Sequence, residues 1–239
     1  MEQNMCRKER KMDIRILQLL EGAAEARGVT VVIDVFRAFS LECYLTAMGA
    51  AEIRPVSTLE EAFAWKRRDP GVLLVGERGG VRCEGFDYGN SPSSIPADAV
   101  RGRRVIHTTS AGTQGVTHAQ GASEILTGSL VNASAVASYL LDKSPETVSL
   151  VCMGRAAVEE CEEDTLCAQY IKSLLTGSVM PDIDERIRAL EKHGGEHFFL
   201  PDMQEVYPRE DFYLCAKRDI FPFVLKVDYD REGMIVRKI

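Results

Sequence analysis

The sequence lacks several patterns that would each define a class of protein. Among its 239 residues, no apolar run approaches the roughly 18–20 residues that a membrane-spanning helix needs. No Cys-x-x-Cys pair occurs and only four histidines are present, which excludes a zinc-finger pattern. Residues 1–11 are charged and contain no apolar core of a secretory signal. These absences predict a cytoplasmic protein with no membrane partner, whose seven cysteines are reduced and mostly buried.

Basic residues are fewer than acidic ones, 29 against 36. The formal net charge is −7, and the basic residues are scattered rather than gathered into a stripe, which argues against nucleic acid as a partner. A small anionic substrate stays open, because local Arg residues and a metal ion can reverse the potential inside a cleft. No internal repeat or linker divides the chain, so we predict one domain over 1–239, with 181–239 as a candidate C-terminal subregion. Homo-oligomerisation, commonest as a two-fold dimer, is left open.

Short apolar runs alternate with helical patterns along the chain. Residues 29–33 are wholly β-branched, which is typical of a central strand buried on both faces. The other predicted strands are 12–21, 51–56, 72–75, the run before Thr108, 122–126, 147–153 and two within 221–239, whereas 181–219 reads as helical and polar. The order predicts an α/β fold, a three-layer α/β/α arrangement with a mostly parallel or mixed central sheet.

Three consecutive hydroxyl residues follow one of these strands. Thr108, Thr109 and Ser110 precede Ala111 and Gly112, where a helix is predicted to begin. A strand, a polar turn and a helix can aim backbone N–H groups and hydroxyls at an anion. The competing interpretation is an ordinary helix N-cap, since Thr and Ser are frequent capping residues.

Acidic residues follow other predicted strands. Asp34 ends the β-branched run and Glu77 follows 72–75. After 147–153, a predicted helix carries Glu163 and Asp164 together with Glu159, Glu160 and Glu162. If these strands are parallel, their carboxyl ends meet at one edge of the sheet, where open α/β sheets bind ligands. Oxygen ligands of this kind suit Mg²⁺. The competing interpretation is a set of helix caps and solvated helix starts.

Taken together, these segments resemble the 2-phosphosulfolactate phosphatase family, magnesium-dependent phosphatases of coenzyme M biosynthesis. The segments that carry the resemblance are 32–38, 76–79, 85–92, 107–113, 154–155 and 163–164, and they occur in this order over most of the chain. The resemblance implies an α/β/α fold and hydrolysis of the phosphate ester of a 2-hydroxy acid, 2-phosphosulfolactate, to sulfolactate and phosphate. The stretch between 155 and 163 is more acidic than expected for the family, and 181–219 matches no motif.

The residues themselves fit this chemistry. A phosphate monoester is hydrolysed extremely slowly without catalysis, so the site must neutralise charge and position water. We predict Asp34, Arg37 and Glu77 as catalytic residues, and Asp34, Glu163 and Asp164 as ligands of Mg²⁺. The predicted substrate-binding residues are Arg78, Asn90, Ser91, Thr108, Thr109, Ser110, Gly112 and Arg155. Each Arg has a competing interpretation as a solvated surface charge.

The reaction class leaves alternatives. Attack by metal-activated water is favoured over a phospho-aspartate at Asp34, because position 36 is Phe and an Asp-x-Asp pattern is absent. A broader phosphatase for several 2-hydroxy acid phosphates, and a non-catalytic anion-binding domain, use the same residues.

Overall fold

The computed structural model describes residues 12–239. The charged start at 1–11, with Cys6 and the predicted absence of a signal, lies outside the described residues. The strands of the described part are β1 (Asp13–Gln18), β2 (Gly28–Ile33), β3 (Glu52–Pro55), β4 (Leu73–Arg78), β5 (Val81–Arg82), β6 (Arg104–Thr108), β7 (Ala122–Gly128), β8 (Thr147–Cys152), β9 (Leu225–Asp230) and β10 (Gly233–Lys238). The helices there are α1 (Leu19–Glu25), α2 (Ala38–Ala47), α3 (Leu59–Arg68), α4 (Ala97–Val100), α5 (Gly112–His118), α6 (Ala133–Lys143), α7 (Glu162–Thr176), α8 (Ile183–Ala189) and α9 (Arg209–Cys215).

The ten strands form one mixed sheet in the order β1-β8-β2-β7-β9-β10-β3-β6-β4-β5. One parallel group contains β1, β8, β2 and β7, and a second contains β3, β6 and β4. The antiparallel β9–β10 hairpin lies between the groups and pairs with β7 on one side and β3 on the other. The two parallel groups therefore run in opposite directions along the sheet.

Side chains alternate between the two faces of the sheet, and both faces are covered. In β2, Val32 packs into one apolar cluster with α1, α2 and α5, whereas Val31 and Ile33 pack into another with α6 and α7. In β6, Val105 joins the first cluster and Ile106 joins a third one against α3. This alternation confirms the predicted three-layer α/β/α fold, since a strand buried on both faces needs a helical layer on each side.

Three predicted element boundaries are wrong. The strand predicted at 72–75 continues to Arg78, so Glu77 lies inside β4 and pairs with Arg82 of β5 rather than following the strand. The first strand ends at Gln18 rather than residue 21, because Leu19 adopts a positive φ of 62° and starts α1. The acidic stretch is not wholly helical either: α7 begins at Glu162, whereas Glu159 lies in the preceding loop and pairs with Arg155. Within 181–219, only α8, α9 and two short 3₁₀ helices are regular.

The described cysteines form no disulfide, and the described helices are short. The six described cysteines are free, and all except the partly exposed Cys161 are buried. Among the described helices the longest, α7, has 15 residues, and none could cross a bilayer.

Strand ends from both parallel groups reach one region of the molecule, although the groups run in opposite directions. The loop after β6 lies next to the loop after β2: Gly112 lies against Asp34. The predicted meeting of strand ends is present, but a single parallel edge is the wrong reason for it.

Candidate active site

Two adjoining cavities occupy the region where these loops meet, and Asp34, Phe36, Gly154, Arg155 and Tyr207 line both. We call the first, of about 240 Å³, the donor cavity. It is completed by Arg37, Glu77, Gly79, Gly80, Asn90, Ser110, Ala111 and Ala156. We call the second, of about 230 Å³, the acidic cavity. It is completed by Cys161, Glu163, Asp164, His197 and Met203.

Asp34 lies at the junction of the two cavities. It follows β2 directly, and its Oδ1 accepts a hydrogen bond of 3.1 Å from the backbone N–H of Ala38 in the first turn of α2. Burial, followed by the negative charge of Asp164, raises the pKa of Asp34 to about 8. The folded protein therefore disfavours the ionised carboxylate unless a positive charge is nearby.

Asp164 joins the ends of two strands. Its Oδ1 accepts from Val35 N–H at 2.8 Å, and its Oδ2 accepts from Met153 N–H and Gly154 N–H at 3.1 and 2.9 Å. Despite these donors, burial and the neighbouring charge of Glu163 raise the pKa of Asp164 to about 7. Asp164 thus holds the loops after β2 and β8 together while adding negative charge to the acidic cavity.

The Glu163 carboxylate is only partly satisfied by hydrogen bonds. Burial is the largest cause that raises its pKa to about 7. Its Oε2 is buried and has no hydrogen-bond partner among the described residues. A buried carboxylate oxygen without a partner is costly, so a ligand that satisfied this atom would stabilise the folded state.

Glu77 is held by the loop that contains the three hydroxyl residues. Its Oε1 accepts from Ser110 N–H at 2.6 Å, and its Oε2 accepts from Gly80 N–H at 2.6 Å and from Ser110 Oγ at 3.1 Å. Thr109 Oγ1 accepts from Thr113 N–H at 3.1 Å in the first turn of α5, whereas Ala111, the N-cap residue, makes no side-chain cap bond. The loop therefore holds the Glu77 carboxylate and the start of α5 together, and its binding of an external anion stays a prediction.

Arg37 lines the donor cavity but is engaged by the protein. Its Nη1 donates to Asp211 Oδ2 and to the carbonyl of Val206, both at 2.8 Å, and its guanidinium lies 4.8 Å from the Tyr207 ring centroid. Arg37 and Asp211 are 3% and 0% exposed, so the pair is fully desolvated. Arg37 anchors the segment that contains Val206 and Tyr207 across the cavity.

The remaining predicted site residues divide into two sets. Arg155 is exposed, is paired only loosely with Glu159 at 3.7 Å, and lines both cavities. Asn90 lines the donor cavity. Arg78, Ser91 and Thr108 line neither cavity and support the walls. Arg78 donates to Thr108 Oγ1 at 2.9 Å, and Ser91 donates to Asp211 at 3.0 Å.

Sequence reasoning missed His197 and Tyr207, which lie in the segment 181–219 that carries no motif. Both line the acidic cavity, with ring centroids 4.5 Å apart. Burial, together with the positive charges of Arg155 and Arg37, lowers the pKa of His197 to about 4. The scarcity of histidine was the one signal available, and it does not distinguish a cavity residue from a core residue.

Comparison with known proteins bears directly on this site. A family model described as 2-phosphosulpholactate phosphatase matches residues 15–230. The chain belongs to the 2-phosphosulfolactate phosphatase family. These enzymes are phosphoric monoester hydrolases, and the matched range contains every residue that lines the two cavities.

Individual relatives agree with the family assignment. A protein of Caldicellulosiruptor saccharolyticus is 41% identical over 87% of this chain and 91% of its own length. A protein of Bacillus subtilis is 29% identical over 95% and 99%, and one of Deinococcus radiodurans is 39% identical over 70% of both chains. Each is named probable 2-phosphosulfolactate phosphatase.

The carboxylates of this family member fit a divalent cation in part. Residues 12–239 contain no preassembled group of three His, Cys, Asp or Glu side chains at metal-binding spacing. Mg²⁺, however, is usually held by one or two carboxylates together with water and substrate phosphate. The unpartnered Oε2 of Glu163 and the raised pKa of Asp34 fit such a partial site.

Substitution of Gly112 tests how closely Asp34 must be held. A Cβ at this position would lie 2.9 Å from Asp34 Oδ2 and 3.0 Å from both Ala38 Cβ and Phe39 Cζ. We expect Gly112→Ala to lower kcat by roughly 10–100-fold, because small displacements of reacting groups are costly, and to destabilise the fold by about 1–3 kcal/mol. Steady-state kinetics and thermal unfolding of the same preparations measure both effects.

Gly115→Ala on the same helix is the matched control. Its Cβ would meet Met153 Sδ at 2.2 Å and Val32 Cγ1 at 2.8 Å, away from Asp34. It should destabilise at least as strongly while the folded fraction keeps a larger share of kcat. Equal losses of kcat in the two variants would show that Gly112 acts only through stability.

Proposed function

We propose that the chain is a magnesium-dependent phosphatase that hydrolyses the phosphate ester of a 2-hydroxy acid, with 2-phosphosulfolactate as substrate and sulfolactate and phosphate as products. This is a reaction of the coenzyme M biosynthesis type. The observation that carries the proposal is the position of Asp34, which lines an acidic cavity on one side and a donor cavity on the other. The names of the relatives support the choice of substrate.

Charge balance supports a need for a cation. Four buried carboxylates line the two cavities: Asp34, Glu77, Glu163 and Asp164. Two arginines line the same cavities: Arg37, whose positive charge is balanced by Asp211, and the exposed Arg155. In their ionised form the carboxylates would repel a phosphate ester. Bound Mg²⁺ would neutralise charge on the transferring phosphoryl group and position the attacking water.

Side chains of the two cavities would bind the substrate and supply ligands to the metal ion. Asn90 and Arg155 are available to bind acidic oxygens of the substrate in the donor cavity, and Ser110 and Gly80 hold Glu77 at its wall. Arg155 is exposed on a loop, so it can close onto a carboxylate or sulfonate group. Asp34 and Glu163 would contribute oxygen ligands, and Asp164 would keep the two strand ends in register.

We propose direct attack of water on phosphorus rather than transfer of the phosphoryl group to Asp34. A rapid-quench experiment with ³²P-labelled substrate should then trap no phosphoenzyme. An acyl-phosphate on Asp34, identified by mass spectrometry of the quenched protein, would contradict the water mechanism and leave the phosphatase assignment intact.

A panel of phosphate esters tests the function itself. Phosphate release would be measured with 2-phosphosulfolactate, 2-phospholactate, 2-phosphoglycerate and p-nitrophenyl phosphate, each with Mg²⁺ and then with excess chelator. We expect the highest kcat/KM with 2-phosphosulfolactate and loss of turnover on chelation. Similar values for several 2-hydroxy acid phosphates would indicate a broad phosphatase. Binding without release from any ester would indicate an anion-binding domain and contradict the proposal.

The proposed location is the cytoplasm. All six described cysteines are free thiols, and reduced thiols are the rule in that compartment.

A further inference from the structure

A row of three buried side chains leads from the core to the donor cavity. Glu42 on α2 and His107 on β6 are both 0% exposed. His107 Nδ1 lies 2.9 Å from Glu42 Oε1, and on the other side of the ring Nε2 lies 3.2 Å from Asn90 Oδ1. Asn90 is 5% exposed and lines the cavity.

The neighbours of the His107 ring determine where its protons lie. The amide oxygen of Asn90 can only accept, so Nε2 of His107 carries a proton and donates to it. On the other side of the ring, one proton lies between Nδ1 and the Glu42 carboxyl group. Because Asn90 turns its carbonyl oxygen to Nε2, its amide nitrogen is directed away from the ring. This nitrogen is not among the buried atoms of the described residues that lack a partner, and Asn90 lines the donor cavity and a second cavity next to it.

Packing alone does not account for this row. Glu42 Oε2 is buried without a hydrogen-bond partner in the described part of the chain. Apolar side chains of similar volume would avoid the cost of an unsatisfied carboxyl oxygen and of a buried imidazole ring. The Glu42–His107 pair does, however, select one of the two orientations of the Asn90 amide.

We propose that Glu42 and His107 are positioning residues, which hold the Asn90 amide with its N–H groups directed into the cavity to bind an anionic oxygen of the substrate. This inference rests on the proposed function for the identity of the anion. A neutral His107 with a free Nε2 lone pair would instead attract the amide N–H groups. The Asn90 oxygen would then face the cavity and repel the anion.

The experiment measures the affinity for inorganic phosphate by titration calorimetry, in the presence of Mg²⁺. Asn90→Ala is expected to weaken binding by about tenfold or more, the range for a hydrogen bond to a charged group. His107→Phe should weaken it equally, and the double variant should show no further loss, because His107 acts through Asn90. Tyr44→Phe, which removes the 3.0 Å bond from α2 to the Leu214 carbonyl, is the matched control and should bind normally.

Two further measurements apply if His107→Phe does not fold. Asn90→Asp keeps an acceptor for His107 but presents a carboxylate oxygen to the cavity, so it should fold and lose phosphate affinity at least as strongly as Asn90→Ala. The ¹⁵N spectrum of histidine-labelled wild-type protein should show His107 protonated on Nε2.

Several results would overturn the inference. These are additive losses in the double variant, a His107 ring without a proton on Nε2, full phosphate affinity in Asn90→Asp, or no phosphate binding by the wild type. Failure of the proposed function is a separate result: wild-type protein that binds phosphate through Asn90 but hydrolyses no ester would contradict the phosphatase and leave the positioning role in place.

Discussion

Replacement of Asp34 by Asn is expected to lower kcat by about 10³-fold or more while the protein stays folded. Asp34 lines both cavities, and an amide can neither carry the negative charge nor accept a proton as a carboxylate does. Losses of roughly 10²–10⁴-fold are typical when a group that transfers protons in the reaction is removed. Steady-state kinetics with the best ester of the panel, at saturating Mg²⁺, measure the effect.

The stability of the same variant separates a chemical role from a structural one. Asn is nearly isosteric with Asp and can still accept the hydrogen bond from Ala38 N–H. Because burial and Asp164 raise the pKa of Asp34 to about 8, removal of its charge should leave thermal stability unchanged or increase it above neutral pH. A parallel fall in kcat and unfolding temperature would contradict this expectation.

Asp219→Asn is the matched control for Asp34→Asn. Asp219 accepts hydrogen bonds from Ser134 N–H and the Tyr170 hydroxyl, at 2.7 Å each, and lines neither cavity. Its replacement should lower stability and leave kcat unchanged. A large loss of kcat here would show that such losses do not report on the site.

The strand ends are predictable from the sequence because the signal there is local. A β-branched run such as 29–33 has few alternatives to a buried strand, and a polar residue that directly follows it must lie at the sheet edge. The position of Asp34 follows from this pattern alone, whereas Glu77 lies inside β4 and Asp164 lies in α7, twelve residues after the end of β8. Their partners were not predictable, since the donors to Asp164 come from loops that are 129 and 10–11 residues away along the chain.

What the sequence did not predict depends on long-range packing. The β9–β10 hairpin was expected, but nothing in residues 221–239 indicates that it inserts between β7 and β3 and reverses half of the sheet. His197 lies in a short 3₁₀ helix and Tyr207 in the bend before α9, and aromatic contacts hold both: Phe198 packs 5.2 Å from Phe36 and 5.7 Å from Tyr207, centroid to centroid. Isolated turns of this length carry little propensity, so their position follows from the packing rather than from a motif.

Without a metal ion, the stability of the protein is expected to fall as the pH rises from about 4 to about 8. The pKa values of Asp34, Glu163 and Asp164 are raised from 3.8, 4.5 and 3.8 to about 8, 7 and 7. Between the two sets of values, the folded protein binds more protons than the unfolded chain, so raising the pH favours unfolding. Below pH ~4 both states are protonated and the favourable contribution of these groups is complete.

Magnesium should reverse this loss, because the ion binds the ionised carboxylates in place of protons. The increase in unfolding temperature caused by Mg²⁺ is therefore expected to be large near pH ~8 and small near pH ~5, since metal affinity rises as ligands deprotonate. Thermal unfolding at both pH values, with Mg²⁺, with chelator, and with a monovalent salt of equal ionic strength, measures the difference.

Chelation should at the same time remove turnover, by about 10³-fold or more, since the charge on the phosphoryl group would no longer be neutralised. Glu163→Gln should keep the fold, reduce the increase in unfolding temperature near pH ~8, and raise the Mg²⁺ concentration needed for half-maximal activity. An equal Mg²⁺ effect at both pH values would contradict binding to these carboxylates. Full turnover in chelator would contradict the metal requirement itself, and it would assign the neutralisation of the phosphate to Arg155 and Asn90.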